Sequence, residues 1–210
     1  MIRRAVFLAD GSSDVPLGDH LETMCAERGV EVRVATPDLR RLPKHPGHGV
    51  ADRLNAVLQL DEAGFDLVFV HRDAEKQDPQ VRVDEVRRAV REVRADLPAV
   101  PVVPVRMTEA WLLLDESAIR RVAGKPDGRM PIGLPQMARV EKLPDPKSTL
   151  RQVLEAASGL EGRKMKLFKS RFGEHRRLLL ERLDIHGPVQ DLCAWRALEA
   201  SLDEALASFS

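Results

Sequence analysis

Four short apolar runs, separated by stretches with helical spacing, constrain this chain more than anything else in it. Residues 5–9 read AVFLA, 30–35 VEVRVA, 67–70 LVFV and 100–105 VPVVPV. Between them apolar residues recur at helical intervals. Leu17, Leu21, Met24 and Cys25 share a face in residues 17–28; Leu54, Val57 and Leu58 do so in 50–60. In residues 84–97, Val86, Val90, Val93 and Leu97 face one way and a row of arginines the other. Strands that alternate with helices are joined by crossovers rather than tight hairpins, so their sheet is parallel. Right-handed crossovers then place helices on both faces. Gly29 stops the first helix, and residues 39–49, rich in Pro, Gly, His and Arg, form a loop. Pro101 and Pro104 confine the fourth run to the edge or end of the sheet. The expected fold class is α/β: a parallel sheet of about four strands flanked by helices, followed by a helical appendage.

The character changes after Val105. Thr108 is placed to cap a helix that runs through Trp111 and Leu114 to Val122 and closes at Gly124. Residues 125–146 read as loop, and 148–157, 174–183 and 190–207 as helices. The expected division is an α/β domain over 1–124 and a helical C-terminal extension over 125–210 that packs on it. Trp111 and Trp195 read as core anchors. Lys and Arg total 33, as do Asp and Glu, so net charge gives no argument for a nucleic-acid partner, and only a local basic face remains. The two cysteines, Cys25 and Cys193, lie too far apart for a metal-ligand spacing. They read as buried thiols in a reducing cytoplasm. The apolar stretch at the N-terminus is too short for a signal peptide, and nothing approaches a membrane span.

Two of the apolar runs stop at acids. Asp10-Gly11-Ser12-Ser13-Asp14 follows the first, and Asp73-Ala74-Glu75 comes soon after the third. In an open parallel sheet, ligands bind at the carboxyl ends of the strands. Acids about sixty positions apart can therefore share one crevice. Clustered carboxylates repel one another, and a hard divalent cation relieves that repulsion. Gly11 permits a tight turn and close backbone approach. Asp73 and Glu75, at an i, i+2 spacing on an extended segment, point the same way. Glu109, after the fourth run, offers a further carboxylate. Each acid also has a plainer reading as a turn former or helix cap.

The glycine-bearing acidic turn after the first strand and the acidic pair after the third resemble the Toprim domain, the module shared by topoisomerases, DnaG-type primases, RecR proteins and overcoming-lysogenization-defect nucleases. That family places a glutamate and glycine after its first strand and Asp-x-Asp after its third. The segments RMTEAWLLLDESAIRRVAG (106–124) and PDPK (144–147) resemble an uncharacterised bacterial family with a Toprim-like sheet. The resemblance implies a site dependent on Mg²⁺ (or Mn²⁺) for cutting or joining phosphodiester bonds. Asp10 then stands in the general acid or base position, and Asp10, Asp14, Asp73 and Glu75 are the metal-binding candidates. Asp10 is one methylene shorter than the family's glutamate, and Glu75 one longer than its aspartate.

Asp10 and Glu109 are the catalytic candidates. Arg72, Arg106, Lys147, Arg163, Lys164 and Lys166 are the candidates for phosphate or nucleic acid: the guanidiniums of Arg72 and Arg106 match phosphate in two-pronged fashion, Lys147 is a cation within reach of a phosphate, and Arg163, Lys164 and Lys166 belong to a basic stretch. Arg163 to Arg171 carries Phe168, and Phe172 follows; these rings either stack on bases or pack in the core. His71 is a proton donor or a strand-end hydrogen-bonding group, and the loop histidines His45 and His48 lack a neighbouring acid. The expected function is a Mg²⁺-dependent phosphodiester hydrolase acting on nucleic acid. The alternatives are a non-catalytic Toprim-like module binding nucleic acid or protein, and a small-nucleotide phosphohydrolase. Oligomeric state is not legible.

Overall fold

A computed structural model of the chain describes residues 2–42, 45–60 and 64–209. They form an α/β structure whose four-stranded sheet is parallel throughout. The strands are β1 (Arg3–Leu8), β2 (Val32–Ala35), β3 (Leu67–His71) and β4 (Ala99–Val102), in the order β2-β1-β3-β4. β1 and β3 are central, with Ala5 opposite Leu67 and Leu8 opposite Val70. β4 lies at the edge, where Pro101 costs no second ladder. No helix among the described residues is long and apolar enough to cross a membrane.

The described residues divide into two compact units, one from 1–72, 77–103 and 196–210, the other from 73–76 and 104–195. The first holds the sheet with helices α1 (Leu17–Glu27), α2 (Val50–Leu60) and α3 (Pro79–Val93). Strand alternation sends Val6, Leu8, Val68 and Val70 to one face. There they pack with Val50, Leu54 and Val57 of α2 and Val86 and Val90 of α3. Ala5, Phe7, Leu67 and Phe69 point to the other face and are fully buried. On that side α1 brings Gly18 close to Phe7 and Val34; a Cβ there would stand 3.8 Å from the Phe7 ring. α3 starts earlier than the apolar spacing suggests. Asp78 accepts from the Gln80 N–H (2.8 Å) and Pro79 occupies the first turn, so the cap sets the start. The loop expected at 39–49 contains a 3-10 turn, Leu39–Arg41; its residues 43 and 44 lie outside the described residues.

The second unit is helical: α4 (Glu109–Leu112), α5 (Glu116–Val122), α6 (Met137–Val140), α7 (Pro146–Ser158), α8 (Gly162–Ser170) and α9 (Phe172–Glu181). α10 (Cys193–Ala207) begins in this unit, and its residues from 196 onward belong to the first. The single helix expected over 108–122 is two, because Asp115 caps a new start by accepting from the Ala118 N–H (2.9 Å). Thr108 makes no side-chain cap; its hydroxyl reaches Asp73 instead (3.4 Å). The loop expected over 125–146 holds α6. α7 begins where Asp145 accepts from the Ser148 N–H (2.8 Å) and ends at Gly159 with φ +55°. Trp111 and Trp195 are core anchors, each 1% exposed, in edge-to-face contact at 5.1 Å.

Candidate functional site

The strand order β2-β1-β3-β4 puts the reversal of winding between β1 and β3. Open α/β sheets bind ligands beside the carboxyl ends of the strands at that point. In the first unit β1 runs out into Asp10 and β3 into His71 and Arg72. The Asp10 carboxylate is 43% exposed and has two guanidinium neighbours, Arg53 at 3.9 Å and Arg72 at 4.0 Å. Arg53, in the first turn of α2, also donates to the Ala9 carbonyl. Burial lowers the pKa of Arg53, with Asp10 opposing that shift and Arg72 adding to it. Arg72 is held from three sides. Its Nη1 donates to the His48 carbonyl (3.3 Å), its Nη2 lies 3.9 Å from Glu85, and its backbone N–H donates to the Val102 carbonyl (3.2 Å). Asp10 and Glu85 together balance Arg53 and Arg72, and the two guanidiniums are of the kind that pairs with a phosphate oxyanion.

Asp14 occupies a different place. It is buried, and its Oδ2 accepts from the Gly11 N–H (3.0 Å) while the Asp14 N–H donates back to the Gly11 carbonyl (3.0 Å). The same oxygen stands 3.8 Å from Nδ1 of the fully buried His71. A Cβ at Gly11 would meet it at 3.2 Å, so glycine is what lets this turn close tightly. Asp14 therefore braces the turn behind Asp10.

In the second unit, residues 73–76 pair with 104–108. Ala74 N–H donates to the Pro104 carbonyl (3.2 Å) and Glu75 N–H to the Arg106 carbonyl (2.8 Å). Asp73 Oδ1 accepts from the Thr108 backbone N–H (3.1 Å) and hydroxyl (3.4 Å). Glu75 (φ +54°) and Arg106 (φ +66°) both adopt the left-handed conformation, and Arg106 Nη1 donates to the Glu75 carbonyl (3.4 Å). Two non-glycine residues in this region store strain of order 1–3 kcal/mol each, a cost often found at binding sites. Glu75 itself is exposed. Glu109 is not. It is buried in a 2.9 Å ion pair with Arg176, with side chains 4% and 7% exposed.

Among the described residues, no group of three or more His, Cys, Asp or Glu side chains is arranged to hold a metal ion. The acids stand two to a unit: Asp10 with Asp14, and Asp73 with Glu75. Two hard carboxylates suit Mg²⁺, which keeps several waters and takes one or two carboxylates plus substrate oxygens. Asp73 and Glu75 fit that donor chemistry. His45 and His48 have their rings 5.7 Å apart in an exposed loop.

Lys147, in the first turn of α7, is exposed and makes no ion pair among the described residues; the same is true of Arg163, Lys164 and Lys166 on α8. Cys25 is buried, as expected, and burial pushes its thiol up to about 12. Cys193 is exposed as a residue, contrary to the expected burial, because it opens α10; local desolvation and then Glu141 raise its thiol to about 11. Arg53 was not singled out from the sequence. An arginine in the first turn of an amphipathic helix gives no sign that it bends back to a strand end. The role of Thr108 as partner of Asp73 was equally hidden behind its resemblance to a cap.

No protein-family model, curated protein or solved structure matches this chain.

Proposed function

We propose that the chain is a Mg²⁺-dependent phosphodiester hydrolase with a Toprim-like acidic site. One observation carries this reading: an exposed carboxylate, Asp10, stands between two arginines at the switch point of a parallel sheet. Arg53 and Arg72 would bind the phosphate and neutralise charge as it grows on the oxygens. Asp10 would take the proton of the attacking water or return one to the leaving oxygen. In the second unit Asp73 and Glu75 would supply the carboxylates for the metal, while in the first Asp14 keeps the Gly11 turn closed. Bound Mg²⁺ or Mn²⁺ would supply Lewis-acid polarisation of the phosphoryl group. Arg106 serves this reading by fixing the left-handed turn that presents Glu75. The two unpaired cysteines favour a reducing, cytoplasmic setting for this activity.

The test is cleavage of labelled DNA and RNA by the purified chain with Mg²⁺ or Mn²⁺, repeated with Asp73→Asn. Asparagine keeps an oxygen for the Thr108 N–H, so the loop is retained while the charge is lost. Cleavage should disappear with EDTA and with the substitution. Activity that survives both overturns the proposal. Tight nucleic-acid binding with no cleavage in any metal would instead favour the non-catalytic module, and turnover of free nucleotides alone the phosphohydrolase.

A further inference from the structure

α8 packs through Phe168 and is otherwise largely exposed. None of its nine residues is buried, yet it carries Leu167 at 59% exposure and the half-buried Phe168. Arg163, Lys164 and Lys166 project from it without an ion-pair partner among the described residues, while Lys169 is held by Glu155 (2.8 Å). A cluster of unneutralised cations on one short helix calls for a polyanion.

Beside it, α7, α8 and α9 enclose a cavity of about 150 Å³ whose walls include Phe168, Phe172, Arg151, Leu154 and His175. The Arg151 guanidinium lies over the Phe172 ring at 4.5 Å. The His175 ring is stacked on Phe168 at 4.2 Å, with 30° between the planes. His175 is buried, and its Nδ1 has no hydrogen-bond partner among the described residues. A buried polar nitrogen of this kind is usually satisfied by something, either protein, water or ligand. Desolvation by burial also lowers the His175 pKa, which keeps the ring neutral and able to donate or accept at a base edge.

We propose that the α7–α9 face binds single-stranded nucleic acid, with Arg163, Lys164 and Lys166 on the phosphates and one unstacked base entering the cavity between Phe168 and Phe172. Charge complementarity fixes the class of partner, and the cavity fixes its strandedness. Bases in a duplex have both faces covered, whereas a single strand offers them to aromatic side chains and arginine planes. Binding here needs no metal and no cleavage. The inference therefore goes beyond the hydrolase reading and names the class of substrate that reading would use.

The experiment measures fluorescence anisotropy of labelled oligothymidylate, oligouridylate and a mixed-sequence duplex with the full chain in EDTA. Single strands should bind at least ~10-fold more tightly than the duplex, given stacking contributions of about 1–3 kcal/mol per base. The two single-stranded probes distinguish DNA from RNA as the preferred form of the same chemistry. The triple variant Arg163→Glu, Lys164→Glu, Lys166→Glu should weaken binding and flatten the salt dependence of log K by roughly 2, at about 0.7 per phosphate lost. Phe172→Leu should weaken single-strand binding roughly 10-fold or more without changing that slope. The charge variant changes only exposed side chains, so it remains decisive if the phenylalanine variant is unstable in a thermal melt. Equal affinity for single strand and duplex, or affinity and salt slope unmoved by the charge variant, overturns the proposal. Cleavage is scored separately with Mg²⁺. A chain that binds single strands in EDTA yet never cuts refutes the hydrolase and leaves this surface standing. Cutting that is indifferent to the α8 charges does the reverse.

Discussion

Replacing Glu109 by glutamine removes the carboxylate from beside a guanidinium that is only 7% exposed. The Glu109–Arg176 pair is 2.9 Å long, and both side chains are out of water. Exposed ion pairs contribute about 0–1 kcal/mol, but breaking a buried one costs roughly 3–5 kcal/mol, because a charge stays desolvated without its partner. The chain's two tryptophans both lie in the second unit, Trp111 only two residues from Glu109 and Trp195 against it at 5.1 Å. Intrinsic fluorescence in a urea titration therefore reports on the unit that holds the pair. With a urea dependence of about 1–2 kcal/mol per molar, the midpoint of Glu109→Gln should fall by roughly 1.5–5 M. Removing both charges, as Glu109→Met with Arg176→Met, should recover most of that loss, since paired removal of buried charges is often nearly neutral. A midpoint for the single variant within about 0.5 M of the parent would refute the argument. It would return Glu109 to the role the sequence suggested, a carboxylate kept for chemistry, in which case the variant would lose cleavage and keep its stability.

Acid should weaken the second unit through His175. Its pKa is lowered below 6.5, first by burial and further by Arg171, with Glu174 opposing. The unfolded chain therefore takes the proton first, and stability held above about pH 6.5 declines as pH falls through that value toward the folded pKa. Urea midpoints measured from pH 8 down to pH 5 should show this decline, and His175→Gln should flatten it. Cys193, although exposed, should alkylate slowly in the native protein. A thiol near 11 rather than 9.0 carries about a hundredfold less thiolate at neutral pH, and iodoacetamide kinetics before and after urea would show the difference. Asp145→Ala should cost α7 about 1 kcal/mol by removing the acceptor for the Ser148 N–H, seen as a small downward shift in melting temperature. A loss several times larger would mean that Asp145 does more than cap.

Much of the first unit was written in local pattern. Val6 and Leu8 alternate with Ala5 and Phe7, and the helical spacing of Leu54 and Val57 or Val86 and Val90 marks their buried faces. Hydrophobic periodicity acts over a few residues, so it survives in the sequence and predicts a parallel sheet with a proline-bearing edge strand. Caps were read less well. Thr108 looked like one and instead serves Asp73, while Asp78 and Asp115 set the real starts of α3 and α5. A short polar side chain accepts whichever N–H is near, and sequence does not say which that is.

The sequence on its own determined that acids follow β1 and β3 and that a basic stretch lies near residue 165, because residue type is local information. Tertiary structure alone decided what each charge faces. It folded Asp14 back onto Gly11, brought Arg53 from α2 to Asp10, gave Glu109 a buried counter-ion and turned the basic stretch into an exposed helix. Electrostatic energy depends on distance and on exclusion of water. Both arise only once residues far apart in the chain have been packed together.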